Sequence, residues 1–246
     1  MSLKPVGTSD APLLEPAEFM RSIRGKSPCD RLFANLAVRN WLLLLTVRAA
    51  TRRALDIVGA IAGLGLLAPL LLITATAIRI ESPGPVLFRQ VRVGKRGRLF
   101  TMFKFRSMRI TAEAEQQALY ANNESADGVI FKMKRDPRVT RVGRLIRRLS
   151  IDELPQLLNV LRGDMSIVGP RPAVPAEVEH YDLQARKRLQ TKPGLTCLWQ
   201  ISGRSELAFS EQIDLDLRYL QARSLMKDIE IIAKTVPAVI AGRGAY

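Results

Sequence analysis

The feature that most constrains this chain is a run of 22 residues without a charged side chain, at positions 57–78. As one continuous helix the run would measure roughly 33 Å, enough to cross the hydrocarbon core of a bilayer. Arginines and lysines flank it on both sides. Because basic residues favour the cytoplasmic face, a simple span would leave one basic flank outside. Pro69 lies near the middle of the run and bends a helix there, so the pattern predicts a re-entrant helix, with a plain span as the alternative.

The charge balance of the 246-residue chain indicates an anionic partner. Its formal net charge is +15 and its pI is near 10.6, which suits nucleic acid, an anionic membrane surface or a phosphate-rich small molecule. The only histidine is His180, so a Ser-His-Asp or Cys-His nucleophile, or a multi-histidine metal site, would depend on that one residue. Cys29 and Cys197 match no metal or redox spacing, which predicts a reduced cytosolic setting.

The remaining patterns predict an α+β fold that is mostly helical. Residues 1–50 are expected to form an N-terminal extension with a surface amphipathic segment, residues 51–82 the re-entrant membrane helix, and residues 83–246 a cytoplasmic domain. Within that domain, VLFRQVRV and LFTMFKF flank GKRG, which predicts a β-hairpin. Residues 109–128 favour a helix followed by a loop. The apolar helix near the C-terminus either packs on the core or lies on the bilayer as an interfacial amphipathic helix.

An Asp-Glu pair, Asp152 and Glu153, follows a strongly basic stretch and precedes an apolar helical pattern. Together with Ser150 the pair fits an S-x-x-E capping box, and on spacing alone this structural role is favoured. The chemical alternative is that an aspartate, with a reference pKa of about 3.9, is already ionised and attacks phosphorus without a general base. A divalent cation and nearby arginines would relieve the charge repulsion. The two readings are compatible.

Several other polar residues are candidates for phosphate binding. Arg171 lies between two prolines that restrict its backbone, which suits phosphate recognition by a guanidinium, although an ordinary turn has the same pattern. The other candidates share a position beside aromatic or glycine residues or on a predicted helix, and each is equally consistent with a structural or solvated role: Lys104, Arg106, Arg204, and at most one of Asp214 and Asp216.

The longest recognisable segment is DPRVTRVGRLIRRLSIDELPQLLNVLRGDMSIVGPRP at 136–172. It closely resembles the signature of the bacterial sugar transferases, the monotopic polyprenol-phosphate phosphoglycosyl transferases. Supporting matches lie at 88–108, 192–204 and 214–220 and in the terminal GRGAY, in consistent order from about residue 50 to the end. The resemblance implies the small form of the family, with a catalytic domain only.

This resemblance implies a reaction. Such enzymes transfer a sugar 1-phosphate from a nucleotide diphosphate sugar, here expected to be a UDP-sugar, to undecaprenyl phosphate, and so initiate bacterial polysaccharide or glycoconjugate synthesis. Asp152 is the expected nucleophile of a covalent phospho-sugar intermediate, Glu153 supports it, and Mg²⁺ is expected at both. Pro69 corresponds to the family's membrane bend. The residues expected to bind substrate are Arg171, Arg147, Lys104, Arg204 and Asp216.

The resemblance also implies a location and partners. The protein is expected at the bacterial inner membrane, in the cytoplasmic leaflet with its active site facing the cytoplasm, without nucleic acid, and a homodimer is compatible with it. Two departures from the family pattern are Cys197 in place of a glycine and Ala68 in place of a serine. The alternative hypothesis is a basic membrane-associated nucleic-acid-binding or scaffold protein without catalysis.

Overall fold

The computed structural model describes residues 28–116, 133, 136–203 and 207–241. Its contacts divide the chain into two units, residues 1–52 and 53–246. The described part of the first unit is helical throughout, and its helix continues into the second. The division into 1–50, 51–82 and 83–246 stays a prediction.

The described residues are mostly helical, with short strands. The helices are α1 (Pro28–Leu66), α2 (Ala68–Glu81), α3 (Ala112–Gln116), α4 (Arg141–Arg148), α5 (Leu157–Arg162), α6 (Pro175–Glu179), α7 (Leu183–Arg186), α8 (Leu198–Ile201), α9 (Phe209–Gln221) and α10 (Leu225–Ala241). The strands are β1 (Leu87–Val93), β2 (Leu99–Phe105), β3 (Ser166–Val168) and β4 (Gly194–Thr196), and short 3₁₀-helices cover Lys95–Gly97, Ile151–Gln156 and Lys187–Gln190.

The uncharged run folds as two helices with a sharp bend. Across the ranges that the structure describes, no individual helix has the length and apolarity to cross a membrane, but Asn35–Leu66 and Ala68–Glu81 have them together, bent by 62°. Pro69 lies in the first turn of α2, directly after the break. Its missing N–H is harmless at that position. The neighbouring bonds persist, from Leu67 N–H to Gly63 O at 3.0 Å and from Leu71 N–H to Leu67 O at 2.9 Å.

The β-hairpin predicted around GKRG is confirmed. Strands β1 and β2 pair antiparallel, with Leu87 opposite Phe105 and Val93 opposite Leu99. Gly97, with φ of 80°, occupies the left-handed region that the tight connection requires. A second sheet, which sequence reasoning did not predict, pairs the three-residue strands β3 and β4 in parallel. Of the helix predicted in 109–128, Ala112–Gln116 is present, and the positions after 116 lie outside the described residues.

One face of each bent helix packs on the rest of the second unit. Ala60 in α1 is buried with Met102 of β2 and Val160 of α5, whereas Ile78 in α2 is buried with Ile146 of α4. The opposite faces expose large apolar side chains: Leu55, Val58, Ile61, Leu66, Leu72, Ile73 and Ile80. Burial and exposure therefore alternate along an uncharged sequence.

Polar contacts fix the first arm of the bend to β3 and the second arm to α4. On the first arm, Asp56 accepts hydrogen bonds from Ser166 Oγ at 2.9 Å and from Ile167 N–H at 2.8 Å. On the second arm, the Glu81 carboxylate accepts from the N–H groups of Arg141 and Val142, at 2.7 and 2.9 Å, in the first turn of α4. Unpaired backbone N–H groups at a helix N-terminus favour such an acceptor.

Candidate active site

The Asp152–Glu153 pair lies in the 3₁₀-helix Ile151–Gln156, between α4 and α5. The capping box favoured from the spacing is wrong. Ser150 has φ of 52° and ψ of 21°, and its side chain caps nothing. This left-handed conformation costs on the order of 1 kcal/mol for a residue with a side chain. The Ser150 N–H, which a capping box would direct to the Glu153 side chain, donates to Arg147 O at 3.0 Å. The Glu153 side chain instead bonds to Lys104 and Gln200.

Asp152 is a buried carboxyl group held among cationic side chains. Its relative exposure is 8%. Burial raises the pKa of the Asp152 carboxyl to about 6, and the nearby Lys104 and Arg147 charges act in the opposite direction. Desolvation disfavours the charged form, whereas neighbouring cations favour it. A carboxylate in this position has lost much of its hydration and lies within the field of basic side chains, which suits attack on an anionic phosphorus centre.

Glu153 is fixed by two neighbours. Lys104 Nζ on β2 lies 2.7 Å from Glu153 Oε1, and Gln200 Nε2 on α8 donates to Glu153 Oε2 at 3.3 Å. Burial acts to raise the pKa of Glu153, but the Lys104 ammonium outweighs it, with Arg171 and Arg92 adding to the effect, so the pKa is lowered. Glu153 is therefore ionised at neutral pH, and Asp152, with a pKa of about 6, is mostly ionised there as well.

Arg171 is brought to this pair by a loop whose backbone has little freedom. The loop follows β3, and Gly194 N–H of β4 donates to Pro170 O at 2.8 Å. A Cβ on Gly194 would lie 2.1 Å from Gly169 N, so the two segments approach this closely only because both residues are glycines. The Arg171 guanidinium carbon lies 5.6 Å from the centre of the Trp199 ring, a cation–π distance.

The sequence candidates divide into those near the acidic pair and those elsewhere. Lys104, Arg147 and Arg171 share the electrostatic environment of Asp152 or Glu153. Arg106 is buried and donates to the carbonyls of Ser82 and Pro83, so it supports the connection between α2 and β1. Arg204 lies outside the described residues.

Of the two aspartates on α9, only one faces the interior. Asp214 is exposed, whereas Asp216 has a relative exposure of 1% and forms an ion pair with Arg188. Burial raises the pKa of Asp216 to about 6, although the Arg188 charge acts against it. Asp216 therefore contacts another protein side chain rather than an open surface.

Asn159 positions the acidic pair, and sequence reasoning missed it. It is fully buried on α5; its Oδ1 accepts from Phe103 N–H at 3.0 Å and its Nδ2 donates to Thr101 O at 2.7 Å. These bonds join the helix after Glu153 to the strand that carries Lys104. The available signal was a single amide within the otherwise apolar LLNVL.

Arg92 and Gln200 were also missed. The buried Arg92 donates to Gln90 Oε1 and, at 2.9 Å, to Pro172 O in the loop of Arg171. Gln200 links Glu153 to Cys197, whose Sγ donates to Gln200 Oε1 at 3.3 Å. Cys197 is extended, with φ of −154°, so a side chain is accommodated where the family pattern has glycine. Burial raises the pKa of this thiol well above its usual range, which keeps it a neutral donor.

The donor set at the acidic pair suits a magnesium ion. Over the described part of the chain, no group of three or more Asp, Glu, His or Cys side chains could hold a metal by itself. Mg²⁺ is typically bound by one or two carboxylates together with substrate phosphates and water. The buried Asp152 and the adjacent, half-buried Glu153 lie among side-chain types that bind phosphate, so they would fit a metal that arrives with a phosphorylated substrate.

Comparison with known proteins gives an independent result. The model of the bacterial sugar transferase family matches residues 47–242. The chain is 46% identical over 195 residues to galactosyl transferase CpsE of Streptococcus agalactiae, covering 79% of this chain and 43% of that protein. It is 42% identical over 199 residues to the exopolysaccharide production protein ExoY of Sinorhizobium fredii, covering 80% and 88%.

A third relative is the UDP-glucose:undecaprenyl-phosphate glucose-1-phosphate transferase of Caulobacter vibrioides, which is 43% identical over 203 residues, covering 79% of this chain and 72% of that protein. The chain thus spans less than half of CpsE but most of ExoY. The matched region contains the last part of α1, the bend, α2, the hairpin and every described residue of the acidic site. The chain therefore belongs to the bacterial sugar transferase family.

Proposed function

We propose that this protein transfers a sugar 1-phosphate from a UDP-sugar to undecaprenyl phosphate and so initiates the synthesis of a bacterial exopolysaccharide or a related glycoconjugate. The observation that carries the proposal is the Asp152–Glu153 pair, with Asp152 buried and Glu153 half-buried, in the electrostatic environment of Lys104, Arg147 and Arg171. The Caulobacter relative is named for UDP-glucose and undecaprenyl phosphate, and ExoY is named for exopolysaccharide production.

In the first half-reaction, a carboxylate oxygen of Asp152 attacks the phosphorus that carries the sugar. A bond forms between that oxygen and phosphorus, and the bond from phosphorus to the bridging oxygen of the diphosphate breaks. The electron pair leaves with uridine monophosphate, and the sugar phosphate remains as an acyl phosphate on Asp152. No proton has to be removed from the nucleophile, which agrees with a site that has no histidine among its described neighbours.

In the second half-reaction, a phosphate oxygen of undecaprenyl phosphate attacks the same phosphorus. The new bond gives undecaprenyl diphosphate sugar, and the bond to Asp152 breaks, which returns the carboxylate. Both steps place negative charge on phosphate oxygens near Lys104, Arg147 and Arg171, whose positive charges stabilise it. When bound, Mg²⁺ held by Asp152 and Glu153 would neutralise part of the diphosphate charge.

The two bent helices, α1 and α2, provide an apolar surface by which the protein would insert into the membrane. Asp56 fixes the first arm to β3, and Glu81 fixes the second arm to α4, the helix that precedes the Asp152–Glu153 pair. Their outward faces are apolar, and basic residues flank them at both ends. A re-entrant hairpin in the cytoplasmic leaflet of the bacterial inner membrane satisfies these features and puts Asp152 within reach of a lipid phosphate.

Helix α10 adds a second apolar surface that would face the membrane. Ile231 on one face is fully buried, and Thr235 bonds to Thr196 of β4. The other face exposes Met226 and Ile240 at 75% and 74% relative exposure, with further apolar side chains between them. Both alternatives from the sequence are thus supported: α10 packs on the core and offers an amphipathic surface to the bilayer. A homodimer remains a prediction.

The function is tested by release of uridine monophosphate from a panel of UDP-sugars, using the full chain in lipid nanodiscs with undecaprenyl phosphate. At least one UDP-sugar should release it in proportion to the lipid-linked sugar formed. Asp152→Asn should abolish release, whereas Asp214→Asn, the same change at an exposed position, should not. Release from no UDP-sugar, or equal release by Asp152→Asn, would contradict the proposal.

The re-entrant topology of the two bent helices has a separate test. Single cysteines introduced at Ala54 and Ser82, on the two sides of the apolar run, are labelled with a membrane-impermeant thiol reagent in oriented inner-membrane vesicles. A re-entrant hairpin makes both reactive from the cytoplasmic face. Labelling of the two positions from opposite faces would eliminate the hairpin and leave a plain span.

A further inference from the structure

The backbone that presents Arg171 is held by a second arginine, Arg188, which is buried in the 3₁₀-helix Lys187–Gln190. Its guanidinium uses both terminal nitrogens. Nη1 donates to Tyr181 Oη at 2.8 Å. Nη2 donates both to Asp216 Oδ2 and, at 3.3 Å, to the backbone carbonyl of Arg171. A continuous hydrogen-bonded line therefore runs from Asp216 through Arg188 to Arg171.

We propose that Arg188 is a positioning residue for the phosphate-binding Arg171, and that Asp216 acts on the reaction through Arg188 rather than by binding substrate. This inference rests on the proposed function, because it assigns a role within the same site. It also changes the role that the family resemblance gave to Asp216.

The burial of Asp216 supports an indirect role. With 1% relative exposure and its Oδ2 against Arg188, the carboxylate has almost no surface that a substrate could contact. A buried guanidinium needs a matched anion, because an unpaired charge in the interior is strongly destabilising. Asp216 supplies that charge. It also holds the planar guanidinium of Arg188 in the orientation in which Arg188 donates to the Arg171 carbonyl.

A second buried arginine, Arg92, also restrains the backbone of the loop that carries Arg171. Arg92 Nη1 donates to Pro172 O, so consecutive carbonyls of the loop, from Arg171 and Pro172, are held by different buried arginines. Val93 N–H also donates to Ala173 O at 2.8 Å. Between these anchors, the Arg171 side chain extends over Trp199. Its position is therefore set by the backbone on both sides of its Cα.

The test is a double-mutant cycle between Arg188 and Arg171, followed by kcat/KM for the UDP-sugar in nanodiscs. Arg188→Lys keeps the charge but cannot hold three acceptors in one plane, and it should lower kcat/KM by about tenfold or more. In an Arg171→Ala background the same change should lower it by less than about twofold, because the group being positioned is gone. Arg218→Lys, on the exposed face of α9, should leave kcat/KM unchanged.

A purely structural role gives a different pattern. Equal fold-losses in the two backgrounds, or no loss on Arg188→Lys, would overturn the proposal. Tyr181→Phe removes only one acceptor and keeps the ion pair, so it serves the same comparison where Arg188→Lys does not fold; its smaller loss should also vanish in the Arg171→Ala background. Wild-type release of uridine monophosphate, abolished by Asp152→Asn, establishes separately that the proposed function holds.

Discussion

Replacement of Asn159 is the most informative change for how the site is assembled. Its side-chain amide is fully buried and bonds to the N–H of Phe103 and the carbonyl of Thr101, at 3.0 and 2.7 Å. Asn159→Leu keeps the branched shape of the side chain but leaves both backbone groups without a partner. Each buried polar group that loses its bond costs about 1–3 kcal/mol, so the free energy of unfolding should fall by about 2–6 kcal/mol.

The assay is denaturant unfolding in detergent micelles, followed by the fluorescence of the buried Trp199. A matched control is Asn40→Leu, the same chemical change at an exposed position of α1, which should alter the unfolding free energy by no more than about 0.5 kcal/mol. Activity should fall more than stability alone explains, because Asn159 also fixes the strand that carries Lys104.

Asn159→Asp separates the two hydrogen bonds. Its carboxyl can still accept from Phe103 N–H, but when ionised it can no longer donate to Thr101 O. Burial favours the protonated form, which restores that donor, so this variant should gain stability relative to Asn159→Leu as the pH is lowered. An Asn159→Leu variant within about 0.5 kcal/mol of the wild type would refute the reasoning, since two orphaned buried groups cannot cost so little.

Three further predictions test the charge, the metal and the membrane surface. Lys104→Met removes the cation that most lowers the pKa of Asp152 and Glu153, so the acid limb of the kcat/KM profile should move to higher pH; an unmoved limb would contradict the assignment. Chelation by EDTA should abolish turnover and added Mg²⁺ should restore it, whereas full activity in EDTA would exclude the metal. A fluorophore on Ile229→Cys, in the exposed apolar face of α10, should be quenched by brominated lipids, and one on Asp214→Cys should not; equal quenching would argue against a membrane-facing α10.

Features set by local sequence were predictable. The hairpin follows from two β-rich segments around a glycine-containing turn, and all of its pairing lies within Leu87–Phe105. The bend lies directly before Pro69, a residue that is tolerated in the first turn of a new helix but not in the interior of a continuous one. In both cases the interactions that decide the structure join residues that are close along the chain.

Features set by long-range contacts were not predictable. The spacing around Ser150 favoured a capping box, but the Glu153 side chain bonds to Lys104, 49 residues earlier. Ser150 itself adopts a left-handed conformation and caps nothing. Asn159 finds its partners 56 and 58 residues away. Spacing alone could not reveal these partners, because nothing in the local pattern says which strand a helix will meet.

The same limit explains the different outcome for Asp216. A helical pattern correctly implied that Asp214 and Asp216 face different directions. It could not show that the inward-facing one meets Arg188, 28 residues earlier, instead of a ligand. The buried arginines Arg92 and Arg188 were indistinguishable in sequence from the many solvated ones that give the chain its charge.

The central claim is that Asp152 carries the sugar phosphate between the two substrates. Its most direct test is intact-protein mass spectrometry after acid quenching of the enzyme with UDP-sugar alone. We expect an added mass of one sugar phosphate on the wild-type protein and none on Asp152→Asn, one equivalent of uridine monophosphate released, and loss of the adduct when undecaprenyl phosphate is supplied. Release that occurs only with both substrates present and leaves no adduct, or an unchanged adduct on Asp152→Asn, would contradict the account.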